Sequence, residues 1–273
     1  MQKLMKEPIT LMAEQELYVL ETGQSTASTL VFLHGGGVGG WMWEPQITRL
    51  SSEYHCLVPD LPEQGKSWKI GPFSMSDAAQ RIADLIRTKA HSGKAHVIGL
   101  SLGAQTLVEL LSRNPELVDH AIVNSALLRA IPGIGLTNLL VKMYSPFKNS
   151  EFLIRANMKS LGVPEQYFPQ FRADTRQITT TALDHVLTAN ANYRLPPNLD
   201  KVLSPVLVVI GQKEYKVMYE SARDLVQALP NARGYVAQGR SHNWSLEAPE
   251  LYSQMIRAWL KDQPLPPELL PLT

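Results

Sequence analysis

Residues 96 to 105, His-Val-Ile-Gly-Leu-Ser-Leu-Gly-Ala-Gln, place a serine between two glycines at the point where an apolar run changes its period. Ala95, Val97, Ile98 and Leu100 read as a buried strand, whereas Leu102, Ala104, Leu107, Val108, Leu110 and Leu111 recur at helical spacing. The stretch is strand, sharp turn and helix. A turn that abrupt leaves no room for flanking side chains, so Gly99 and Gly103 let the two backbones pass closely while Ser101 is thrust outward. The G-x-S-x-G pattern thus demands a strand, a helix folded back beside it, and a hydroxyl exposed at their junction.

The surrounding chain supplies the sheet that such a junction needs. Short apolar runs alternate with amphipathic segments, the signature of a mostly parallel sheet flanked by helices in the α/β class. Residues 9–15 and 16–22 read as an opening hairpin, and strands are expected within 29–35, 54–61, 94–101, 119–125, 204–211 and 233–239, making an eight-stranded sheet. Helices are expected near 76–91, 102–113, 217–229 and 248–261. The rhythm breaks between 128 and 203, where helical segments within 136–147, 150–162, 164–171 and 178–194 stand in place of a single helix. Pro146, Gly162, Pro164, Pro169 and the Pro196-Pro197 pair punctuate them. The expected organisation is a core of residues 1–127 and 204–273 with an inserted helical cap, or lid, at 128–203. The Pro-rich tail from 261 is expected to lie extended on the surface.

Composition narrows the function classes. The 273 residues suffice for a sizeable core. Lys and Arg total 26 against 25 for Asp and Glu, a balance that gives no long-range pull toward nucleic acid or an anionic membrane, so the expected partner is a small neutral molecule. The single cysteine, Cys56, sits in an apolar run and reads as a buried inert thiol. Lys3, Lys6, Glu7 and Pro8 interrupt the first residues, which lack the apolar core of a secretory signal, and there is no apolar run of membrane-spanning length. The expectation is a soluble cytoplasmic protein, monomer or homodimer. His55, His91, His96, His120 and His185 form no recognised ligand spacing, so neither a metal nor another cofactor is expected.

A serine hydroxyl is a weak nucleophile unless a base and an orienting acid reach it. Glu214 stands just past the strand of 204–211, at the edge where open α/β sheets assemble sites, and His242 stands just past that of 233–239. Ser101, Glu214 and His242 occur in the order nucleophile, acid, histidine that this type of turn requires. Other acids fit less well: Asp119 precedes its strand and Asp184 lies within a helix of the insertion. A tetrahedral oxyanion needs two preorganised N–H donors, and one is the amide of Leu102, directly after the serine.

With these residues the chain resembles the α/β-hydrolase fold superfamily, in its capped serine esterase type, over nearly its whole length. Glu247-Ala248-Pro249 after the histidine resembles the family's Glu-x-Pro, and residues 32–43, with His34-Gly35 followed by Gly39-Gly40-Trp41-Met42-Trp43, resemble the loop of plant methylesterases and hydroxynitrile lyases. The resemblance implies that Gly36 is the second oxyanion donor, with Gly37 next to it, and that His34 is a structural part of the loop. The chain departs from the family at three places. Glu214 stands where Asp is usual, Ser241 where Gly usually precedes the histidine, and Glu63-Gln64 where D-L-P-G-H-G-x-S has Gly-His.

The residues and the resemblance together lead to the expectation of a serine hydrolase acting on a small or medium, largely apolar ester through an acyl-enzyme. The pocket is expected to include Gly37, Trp41, Met143, Met158 and Phe168. C–C bond hydrolysis, lactone or thioester hydrolysis and hydroxynitrile lysis are alternatives on the same triad, as is a ligand receptor of the same fold with slow turnover. An arginine among Arg155, Arg172, Arg176 and Arg194 turned inward would instead select a carboxylate. Gly35, Gly37 and Gly40 also satisfy G-x-G-x-x-G, with Asp60 twenty residues after Gly40. That dinucleotide reading places Trp41 and Trp43 where a tightly packed helix start is needed and leaves Ser101, Glu214 and His242 unused.

Overall fold

The computed structural model describes residues 16–129 and 149–273. Eight strands form one sheet in the order β1-β3-β2-β4-β5-β6-β7-β8: β1 Val19–Thr22, β2 Thr29–Leu33, β3 His55–Pro59, β4 Ala95–Leu100, β5 Val118–Asn124, β6 Val206–Gly211, β7 Ala232–Ala237 and β8 Leu269–Pro271. β1 and β8 run antiparallel at the two edges, and every other pairing is parallel.

Both faces of the sheet are apolar because side chains alternate along each strand. Val31 and Leu33 of β2 pack on one face with α2 (Met75–Lys89), α3 (Leu102–Arg113) and α7 (Lys216–Ala228). Leu30 and Phe32 pack on the other with α1 (Glu44–Leu50) and α9 (Pro249–Leu260), around Trp43, Trp244 and Tyr252. A four-residue helix, α8 (Trp244–Glu247), leads into α9. Ser74 caps α2 by accepting the Asp77 N–H at 3.2 Å.

One strand slips. In β5, Val118 and Ala121 both face the α2/α3 side although two residues lie between them, and the pairing with β4 jumps from Ala95↔Val118 to Val97↔Ala121. Asp119 and His120 therefore stand opposite the single residue His96, the two-against-one arrangement of a β-bulge.

The connection from β5 to β6 carries α4 (Glu151–Ser160), α5 (Phe168–Gln177) and α6 (Thr180–Asn192), the last capped by Thr179. The helix expected within 136–147 and the strand expected at 9–15 lie outside the described residues. In the described sheet the eighth strand comes from the tail, where Leu269–Pro271 pairs with Ala237–Tyr235 as an edge strand. Proline is tolerated at an edge because its missing N–H need not enter a ladder, and Pro-rich composition hid this strand. Among the described residues no helix is long and apolar enough to cross a membrane.

Candidate active site

Ser101 closes β4 and opens α3 with φ 55° and ψ −114°, a left-handed conformation that a residue with a Cβ adopts only when its surroundings impose it. The surroundings are backbone. A Cβ at Gly99 would lie 2.4 Å from the Gly103 carbonyl oxygen, and one at Gly103 would lie 2.3 Å from the Leu33 carbonyl oxygen. The turn is then pinned by hydrogen bonds from the Ser101 N–H to the Asn124 carbonyl and from the Gln105 N–H to the Ser101 carbonyl, both 2.9 Å.

Glu214 and His242 come from the loops after β6 and β7, which are tied together. The Gln212 N–H donates to the Ala237 carbonyl at 3.0 Å and the Lys213 N–H to the Arg240 carbonyl at 2.9 Å. Gly211 lets the histidine loop cross the end of β6, since a Cβ there would meet the Ser241 carbonyl oxygen at 2.3 Å. His242 Nδ1 lies 2.8 Å from Glu214 Oε2, while Glu214 Oε1 accepts from the Ser125 hydroxyl and from the Gly211 N–H at 3.2 Å. Burial of Glu214 opposes its charge, but the bond and charge of His242 and the Ser125 and Gly211 donors outweigh it, and its carboxyl is held below the ordinary value. Glu247 grips the histidine loop from the far side, accepting both the hydroxyl and the N–H of Ser241. The Ser-for-Gly departure thus supplies that carboxylate with a donor.

The glycine-rich loop faces the turn. A Cβ at Gly36 would lie 3.8 Å from the Leu102 Cβ, so these two residues are neighbours. Leu102, as the first residue of α3, has no carbonyl within its helix to receive its N–H. The Gly37 N–H is already given to Gln64 Oε1 at 2.8 Å, which is the use of the Gln-for-His departure. His34 is fully buried and consumed by the loop, its Nε2 accepting the Leu61 N–H and its Nδ1 donating to the Gly35 carbonyl, both at 2.8 Å. Asp60 accepts from the Gly40 and Lys66 N–H groups at 2.6 and 2.7 Å, so the carboxylate that a dinucleotide reading needs for a ribose is spent on this loop.

Ser101, His242, Gly36, Trp41 and Leu161 line one narrow cleft of about 70 Å³. It adjoins a cavity of about 620 Å³ that runs from Ser101, Gly36 and Gly37 up between α4, α5 and α6, and whose apolar lining includes Leu153, Phe171, Ile178, Leu183, Val186 and Leu187. Among the described residues that lining carries no charged side chain. The arginines face elsewhere: Arg172 and Arg176 pair with Glu151, Arg155 pairs with Glu165 over the Phe168 ring, and Arg194 donates to the Ala191 and Tyr193 carbonyls.

Gly37 lines the cavity and Trp41 the cleft beside it, whereas Met158 and Phe168 line neither. Both are buried in the packing of α4 and α5 against the core, and Phe171, one turn beyond Phe168, takes the wall position instead. Met143 lies outside the described residues. Sequence pattern alone does not single out Ser125 or Asp174. Asp174 of α5 is half-buried and accepts the Trp41 indole N–H at 2.6 Å, and Trp41 stacks on Tyr167 with ring centres 5.6 Å apart. Burial pushes the Asp174 carboxyl up, and the bonds from Trp41 and the Gly39 N–H only partly offset this.

Known proteins share this arrangement of the chain. Residues 30–255 match the model of the alpha/beta hydrolase family. The carboxylesterase YbfK of Bacillus subtilis is 23% identical over 263 residues, covering 89% of this chain and 83% of that protein. A thermophilic esterase from Thermogutta terrifontis superposes with TM-score 0.73 at 20% identity, covering 90% of this chain and 93% of that one. The enol-lactonase of Burkholderia xenovorans LB400 superposes with TM-score 0.75 at 19% identity, covering 90% and 96%.

Proposed function

The chain belongs to the alpha/beta hydrolase family, and from that premise we propose that it is a serine hydrolase cleaving a small or medium, largely apolar carboxylic ester through an acyl-enzyme on Ser101. The observation that carries this reading is a hydroxyl on a strained turn sharing a cleft with His242, whose Nδ1 is held 2.8 Å from a buried carboxylate.

His242 takes the Ser101 proton as the serine oxygen attacks the ester carbonyl, and the Gly36 and Leu102 amides receive the negative charge on the carbonyl oxygen. The alkoxide leaves with the proton from His242. Water then attacks the acyl-serine with His242 again as base, releasing the acid and restoring the hydroxyl. Glu214 fixes the imidazole tautomer and stabilises its cation, a task that suits a carboxyl kept ionised by its donors. The segment 128–203 acts as a cap whose helices select the substrate. Among the described residues its lining is uncharged, which favours a neutral apolar group, and a cavity of about 620 Å³ lies in the range of small-molecule sites.

The test is a panel of p-nitrophenyl and methyl esters of increasing acyl length, with lactones beside them, run with wild type and Ser101→Ala. Turnover of neutral esters that vanishes in the variant is expected. Turnover that survives in Ser101→Ala contradicts the reading.

A further inference from the structure

The bulge between β4 and β5 lies at the end of the sheet away from Ser101 and serves no part of the cleft. His96 is five residues before Ser101 on an extended strand, roughly 16 Å away at about 3.3 Å per residue. What the bulge does is gather three ligating side chains. In a regular strand Asp119 and His120 would point to opposite faces, but the extra residue brings both against His96. His96 Nδ1 and His120 Nδ1 lie 3.5 and 3.7 Å from Asp119 Oδ2, and one donor atom from each residue falls within 4.8 Å of the other two. For bonds near 2.0 to 2.2 Å, tetrahedral ligand atoms stand roughly 3.3 to 3.6 Å apart, so two of the three separations need only a small side-chain adjustment.

Three of the four ring nitrogens make no hydrogen bond, although the two Nδ1 atoms stand within ion-pair distance of Asp119. His96 is more than nine-tenths buried, yet its Nδ1 has no hydrogen-bond partner, and neither ring nitrogen of His120 has one. Buried polar atoms left in this way call for a partner that the protein does not supply. We propose that His96, Asp119 and His120 bind a divalent transition-metal ion of the zinc class, with water completing the coordination on the exposed side of Asp119. Two imidazoles and one carboxylate suit zinc or its neighbours and not calcium or magnesium, which take oxygen ligands. Spacing along the sequence does not show this site, because its ligands are assembled across strands.

Zinc titration into chelator-stripped, tag-free protein by calorimetry tests the site, with Asp119→Asn and His120→Gln as variants. Wild type is expected to show a saturable site that each variant weakens at least ten-fold, and zinc at a hundred times its Kd is expected to raise Tm by about 5 °C in wild type only. Asp119 is largely exposed, so Asp119→Asn carries the test even if His120→Gln fails to fold. Zinc binding at another histidine appears equally in all three proteins and subtracts out. The proposal is overturned if wild type binds no more tightly than Asp119→Asn.

Discussion

Beneath Ser101 the sheet edge is held by backbone packed so closely that a single methyl at Gly103 would collide with a carbonyl oxygen at 2.3 Å, whereas above it α4, α5 and α6 meet through apolar side chains and partly exposed ion pairs such as Arg172–Glu151. The floor positions its groups through main-chain hydrogen bonds and short loops. The wall is a packing surface, and its ion pairs are of the partly exposed kind that contribute little to stability. On the proposed function the contrast amounts to a division of labour, in which the floor would decide which bond breaks and the wall what is admitted.

That division is breakable. The largest effect is expected on the floor, where Glu214→Gln removes the charge that steadies the imidazolium and lowers kcat by about 10⁴-fold on every ester alike. A loss confined to bulky esters would move Glu214 into the wall. On the wall, Leu183 and Leu187 lie one turn apart on α6 and both face the cavity, so shortening either to Ala is expected to shift the ratio of kcat/KM between long and short acyl chains by about 10- to 100-fold while acetate ester turnover stays near wild type. Equal loss on every ester would erase the distinction.

Asp174 joins the two regions, so its removal sharpens the boundary between them. Asp174→Ala leaves the Trp41 indole and the Gly39 N–H without their acceptor and is expected to cost about 1–3 kcal/mol of stability, with kcat on a small ester falling less than ten-fold. Thermal melts beside steady-state rates check this, and a rate loss far larger than the stability loss would place Asp174 in the catalytic floor. The smallest effect is on pH dependence. The Glu214 carboxyl is depressed from an ordinary value of 4.5, so its contribution to stability is fully present above that value and is lost as pH falls through the lower folded one. The Tm difference between wild type and Glu214→Gln, compared at pH 5 and in stronger acid, is therefore expected to shrink by a few degrees as pH falls below about 4.5. A difference that grows in acid would mean that the carboxyl is raised.

The floor was legible in the sequence because its constraints are local. Two glycines around a serine, at the change from strand to helix period, leave one geometry, and Glu214 and His242 each follow a readable strand. Cys56 was legible for the same reason, and burial pushes its thiol up to about 12, an inert state. The wall was not legible, since Phe168 and Phe171 are one turn apart on α5 and only the third dimension decides which of them meets the cavity. Asp174 reads as a solvated helix charge until Trp41, 133 residues earlier, is seen beside it. Strand β8 was hidden by prolines that an edge tolerates, and the bulge of β5 was hidden because register is a property of two strands.

Covalent labelling tests the central claim most directly. Wild type, treated with a fluorophosphonate and digested, is expected to carry a single adduct on the peptide containing Ser101, with labelling abolished in Ser101→Ala and strongly slowed in His242→Ala. An adduct on any other residue, or labelling of Ser101→Ala at the wild-type rate, would contradict the assignment of the turn at residue 101 as the nucleophile.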